Sequence, residues 1–158
     1  MKKLLLVLSL FAAGTTLAES YVGIAGALTL PSGGARVRCL GGAGMRLGTY
    51  FGDFLAAEGE GAWQEDAAAL VVRGLWHWQG AELYNRFFGY SQFDPFFTFG
   101  ACGLIAHREG EVGPMVGLGT FYHLTDNWSL RFEADFTLGL DTEVDELYTC
   151  SFGLQYTF

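Results

Sequence analysis

After its first eighteen residues the chain has no long uncharged apolar run, so no segment of it can cross a bilayer as a helix. Basic residues are scarce too: nine in all, of which Lys2 and Lys3 fall in the N-terminal leader. The other seven are Arg36, Arg38, Arg46, Arg73, Arg86, Arg108 and Arg131, set against 17 acidic residues for a net charge of −10. Such a chain is not read as a nucleic-acid binder. Cysteine is limited to Cys39, Cys102 and Cys150, an odd number with no CxxC spacing, which is not a disulfide framework. With hydrophobic residues at 51%, disorder is excluded.

What the chain does have is aromatic residues at 16% and 23 glycines, a mixture that suits short strands around a narrow barrel. Its first residues read as a secretory leader. Lys2 and Lys3 precede an apolar run from Leu4 to Ala13, then Gly14-Thr15-Thr16-Leu17-Ala18, with cleavage expected after Ala18. Residues 19–158 are then a single domain of about 140 residues.

The last eleven residues show the pattern that organises this domain. Tyr148, Cys150, Phe152, Leu154, Tyr156 and Phe158 alternate with Thr149, Ser151, Gly153, Gln155 and Thr157. A strand sends alternate side chains to opposite faces, so the tail has one apolar and one polar face. In a transmembrane barrel strand the apolar face meets lipid and the polar face the lumen. Seven further segments alternate in the same way: about Tyr21–Leu30, Val37–Phe51, Phe54–Gln64, Ala68–Trp78, Pro95–His107, Val112–Leu124 and Trp128–Leu138. The total is eight, an even number as single-chain bacterial barrels require. The expected fold is all-β, an eight-stranded antiparallel transmembrane barrel.

Pro31–Gly34, Gly52-Asp53, Glu65-Asp66, Arg108–Glu111, Thr125–Asn127 and Asp141–Glu146 are the expected turns and loops. The longest connection runs from Gln79 to Asp94. Within it Leu83 and Phe87 stand at helical spacing and Glu82 with Arg86 is an i,i+4 pair, so residues 81–90 read either as a short amphipathic helix at the membrane edge or as a packed aromatic loop. With the N-terminus inside, Phe51, Trp78, Tyr122, Trp128, Tyr156 and Phe158 all fall at the periplasmic ends and form an aromatic girdle, with Trp63 at the opposite rim. The cysteines read as small apolar residues, and a Cys39–Cys150 bridge stays open because the strands carrying them both neighbour the first.

The sixth and seventh segments carry Gly117-Leu118-Gly119 and Tyr122-His123-Leu124-Thr125-Asp126-Asn127-Trp128-Ser129-Leu130-Arg131. Together with the tail, this resembles the small eight-stranded outer-membrane barrels of the OmpA-like and OmpX-like porin-family class. The resemblance spans the whole domain and is one of pattern. It implies a bacterial outer-membrane location, contact with lipid and lipopolysaccharide, a monomer, and a terminal signal for the barrel-assembly machinery at Phe152, Leu154, Tyr156 and Phe158. No peptidoglycan-binding domain is expected after Phe158, and the outer loops are short for an adhesive role.

The inward charges are the candidate functional group: Arg46, Glu58, Glu60, Arg73, Arg131, Glu133 and Asp135. An eight-stranded barrel is just wide enough for side chains to fill it, so these charges must pair. A cross-lumen ion-pair network is expected, with a narrow ion path as the alternative. Carboxylates two apart on one strand, Glu58 with Glu60 or Glu133 with Asp135, sit roughly 7 Å apart with no substrate cleft around them, so a glycosidase-like pair is not favoured. His77 and His123 point inward but lack further metal ligands. A lipid-modifying enzyme is represented only by His107 and Ser32. The expected function is a structural barrel without catalysis, cofactor or metal, ahead of a small channel and of a surface-loop binding module.

Overall fold

The computed structural model describes residues 19–32, 40–64, 67–78, 92–106, 109–141 and 144–158. They form eight strands: β1 (Ser20–Ser32), β2 (Leu40–Tyr50), β3 (Leu55–Gln64), β4 (Ala67–His77), β5 (Phe93–Ala106), β6 (Glu109–His123), β7 (Trp128–Asp141) and β8 (Val144–Thr157). Each pairs antiparallel with its sequence neighbour, and β8 returns to pair with β1 from Tyr21↔Thr157 to Ser32↔Glu146, closing the barrel. Among the described residues closure leaves no strand at a sheet edge.

Alternation decides which side chains enter the lumen. In β7, Ser129, Arg131, Glu133, Asp135 and Thr137 are buried while Phe132, Ala134 and Leu138 are exposed. The same two-residue period runs through β4, where Val71, Arg73, Leu75 and His77 are buried and Leu70, Val72 and Trp76 exposed. The outer wall is thus a band of exposed apolar side chains, among them Ile24, Leu47, Val72, Leu118 and Phe132. A contiguous band of this kind is far beyond what a soluble monomer exposes.

Several boundaries differ from those read in the sequence, β5 opening at Phe93 and not at Pro95. Residues 109–111, expected as a loop, open β6, with Glu109 paired to Ala106, and β7 and β8 run on to Asp141 and Val144, through residues expected in the last loop. Backbone ladder bonds need no apolar side chains, so pairing continues beyond the point where alternation stops marking it. Residues 107–108 and 142–143 alone separate these strand pairs. In the β2–β3 turn Gly52 has φ +83°, a conformation open to glycine at little cost. Phe51, expected at the end of the second strand, lies in this turn. The expected helix over 81–90 and Cys39 lie outside the described residues, while Cys102 and Cys150 are free thiols.

The lumen is filled in three layers. Tyr21, Ala56, Leu75, Phe96 and Phe121, with Tyr50 against them, pack at the end where β1 begins. Val71, Cys102 and Met115 pack toward the other end, and charged side chains lie between. Glycine makes this filling possible in so narrow a tube. The Tyr21 ring lies over Gly48 in the space a Cβ would need, and Asp135 with Thr98 occupies the same space at Gly117.

Candidate functional site in the barrel lumen

Four strands deliver the middle layer. Arg46 comes from β2, Glu58 and Glu60 from β3, Arg73 from β4, and Arg131, Glu133 and Asp135 from β7. Register explains part of the pairing, since Arg46 stands opposite Glu60 and Glu58 opposite Arg73. The rest of the pairing crosses the lumen, because β7 faces β3 and β4 only once the sheet has closed. Arg73 sits at the hub. Its Nε donates to Glu58 Oε1 at 2.7 Å, one terminal nitrogen reaches Glu60, and the other meets Glu133 Oε1 at 3.0 Å and Asp135 Oδ2 at 3.1 Å.

Arg131 bridges Glu58 and Glu133, the latter at 3.0 Å, and its guanidinium lies 4.8 Å from the Phe96 ring centroid and 5.2 Å from that of Phe121. Arg46 binds Glu60 Oε2 through Nε at 2.9 Å and Glu133 Oε2 at 3.3 Å, and donates to Ser151 Oγ at 2.8 Å. Neutral donors complete the layer: Tyr21 Oη donates to Glu58 at 2.8 Å and Thr98 Oγ1 to Asp135 at 2.9 Å. Each of the seven buried charges thus meets at least one of opposite sign, the condition under which ions can occupy a low-dielectric interior. The alternating sequence placed all seven on inward positions. It gave no hint of Tyr21, Thr98 or Ser151 as partners, although each has inward parity.

Neither a family model nor a curated protein matches the sequence. Solved structures do match in three dimensions. The crystal structure of Neisserial surface protein A aligns over 88% of this chain and 97% of that one, with a TM-score of 0.63 at 12% identity. The N-terminal β-barrel domain of Pseudomonas aeruginosa OprF aligns over 89% and 99%, with a TM-score of 0.65 at 14% identity. The fold is that of a small eight-stranded outer-membrane barrel. Ail, the attachment invasion locus protein of Yersinia pestis, has the same fold, with a TM-score of 0.59 at 13% identity over 89% of this chain and 99% of that one. At such identities the likeness extends to the fold alone.

On the outer surface of this outer-membrane-type barrel, Phe51, Trp78, Tyr122, Trp128, Tyr156 and Phe158 gather at the end where β1 begins. Five of them pair with aromatic neighbours: Trp78 with Phe97 at 5.5 Å, Tyr122 with Phe93 at 5.0 Å, Trp128 with Tyr156 at 4.9 Å, and Tyr156 with Phe158 at 5.3 Å. Trp63 stands at the opposite end and is 66% exposed. Phe152 and Leu154 lie on the outer face of β8, Phe152 against Phe132 at 4.8 Å.

The two inward histidines do not share a site. His77 Nδ1 is 2.6 Å from Asp94 Oδ2, and His123 Nδ1 is 2.8 Å from Ser129 Oγ. Phe121 stacks on both imidazoles, at 5.7 and 6.4 Å. Among the described residues no group of three or more His, Cys, Asp or Glu side chains is placed to hold a metal ion. In the sequence Asp94 ends the long connection and so is not marked as a partner of His77. Its neighbours Phe93 and Pro95 gave the signal, since inward Asp94 flanked by them continues the two-residue period of β5.

Proposed function

We propose that the chain is an integral protein of a bacterial outer membrane, a structural barrel whose lumen has no through-path and performs no catalysis. The observation that carries this reading is the filling of the lumen by the ion-paired layer and the aromatic layer beneath it. The space left above the charges is a cavity of about 40 Å³, room for a water or two. The leader at residues 1–18 delivers the chain to the envelope, and Phe152, Leu154, Tyr156 and Phe158 present the strand read by the assembly machinery. The six-residue girdle marks the periplasmic interface, and the apolar band above it meets lipid and lipopolysaccharide as a monomer.

Two measurements test this. In outer-membrane fractions the unboiled protein migrates differently from the boiled protein on a denaturing gel, because a folded barrel resists detergent until heated. Absence of the shift, with the protein in the soluble periplasm, overturns the location. In planar bilayers the purified barrel gives no stable unitary conductance. A steady conductance that shifts in Arg73→Met would replace the closed barrel with a narrow pore. Binding through the loops is disfavoured, because only residues 65–66, 107–108 and 142–143 separate three of the four strand pairs at that end.

A further inference from the structure

We propose that the lumenal lattice binds one exchangeable proton, held on the Asp135 carboxyl. The inference rests on the closed, ion-paired lumen proposed above. Among the described residues, three guanidinium groups, of Arg46, Arg73 and Arg131, meet four carboxylates, of Glu58, Glu60, Glu133 and Asp135. One negative charge is left over in a space nearly closed to water, where an uncompensated ion is strongly disfavoured. The His77–Asp94 pair does not redress the balance: the Phe121 ring stacks on His77 and lies beneath the Arg131 guanidinium, and His77 already has its own carboxylate. Arginine does not give up its proton in proteins, so the adjustment falls on a carboxyl.

The contacts single out which one. Glu58 is bound by Arg73 and Arg131 and receives the Tyr21 hydroxyl. Glu133 is bound by all three arginines, and Glu60 by Arg46 and Arg73. Asp135 meets Arg73 alone, at 3.1 Å, through a nitrogen that also lies 3.0 Å from Glu133. Its other oxygen lies 2.9 Å from the Thr98 hydroxyl, a neutral group that donates to the carboxylate and can accept from the acid. Asp135 therefore has the weakest hold on positive charge.

The remaining groups around it do not alter that. Arg46 and Arg73, Glu60 and the Cys102 thiol share with Asp135 the lining of the small cavity, and Glu133 and Arg131 precede it on β7. From β6 and β8 it faces Gly117 and Thr149, which do not titrate. The cavity gives the carboxyl contact with a water or two, a route for exchange. A metal ion there would sit beside two guanidinium groups, whereas a proton needs no room: on Oδ1 it makes the carboxyl the donor and the Thr98 hydroxyl the acceptor of their 2.9 Å contact.

Infrared spectra of the folded barrel in lipid vesicles, recorded at neutral pH in light and heavy water, decide the matter. The expected result is the carbonyl stretch of one protonated carboxylic acid, isotope-shifted in heavy water and lost in Asp135→Asn. Charge balance makes a second demand. Glu60→Gln leaves three guanidinium groups facing three carboxylates, so the band disappears although Asp135 is untouched. A purely structural role for Glu60 would leave it in place. No band in the wild type, or a band that survives in either variant, overturns the proposal, and Glu60→Gln decides alone if Asp135→Asn does not fold. Conductance in the bilayer experiment would overturn the closed lumen and is read independently of the infrared band.

Discussion

Replacing Arg131 by methionine is expected to destabilise the folded barrel by about 3–5 kcal/mol, the cost of removing one partner from a buried ion pair. Methionine keeps the apolar stem of the side chain out to the position of Nε, so what is lost is the guanidinium, with its ion pairs and its contact with Phe96 and Phe121. Arg131 is 1% exposed and lies between Glu58 and Glu133. Without it Glu58 keeps the Tyr21 hydroxyl and a single cation, Arg73, which already serves four carboxylates. Lysine does not restore the site, since one ammonium cannot span two acids as a forked guanidinium does.

The measurement is equilibrium unfolding in urea from lipid vesicles, with the temperature of the gel shift as a second readout. Adding Glu58→Gln to Arg131→Met should recover part of the loss, because residues in one ion network couple by roughly 0.5–3 kcal/mol. A single Arg131→Met variant as stable as the wild type would show that water enters the lumen freely and that the lattice is not sealed.

How far the sequence discloses this arrangement depends on what each feature obeys. Period-two alternation is a local property, so the chain from Trp128 to Leu138 declares its two faces unaided, and so does the stretch from Tyr148 to Phe158. Parity also assigns Arg46, Glu58, Arg73 and Asp135 to one interior. It cannot say which of them touch. The meeting of Arg73 with Glu133 depends on closure and strand stagger, properties of the whole sheet. Strand ends are illegible for a different reason. Glu109 to Glu111 and Val144 to Glu146 extend the ladder beyond the apolar band, where side chains are free to be polar and the pattern falls silent. His77 and Asp94 are 17 residues apart on either side of a long connection, and only the β4–β5 register, with Trp76 opposite Phe97, brings them together.

The outward face admits a test as strong as the lumen does. Leu118→Arg is expected to destabilise the barrel by about 2–4 kcal/mol, the cost of arginine near the midplane of the apolar band. Leu118 is four residues above Tyr122 of the girdle, roughly 10 Å along the barrel axis for tilted strands, in a band about 25 Å tall. Leu124→Arg, at the turn beside the girdle, should cost only about 0–1 kcal/mol because its guanidinium reaches the headgroup region. Both leucines are largely exposed, at 62% and 50%. In water, substitution at either exposed site would typically stay within about 0.5 kcal/mol. The contrast therefore does not depend on packing inside the protein and reads the solvent around it. Equal and small effects at the two sites would mean that water, and not lipid, surrounds the band, and a soluble ligand-binding barrel would then be the better description. A large penalty at Leu118 with little at Leu124 is what a bilayer imposes, since the cost of a charge there depends on depth.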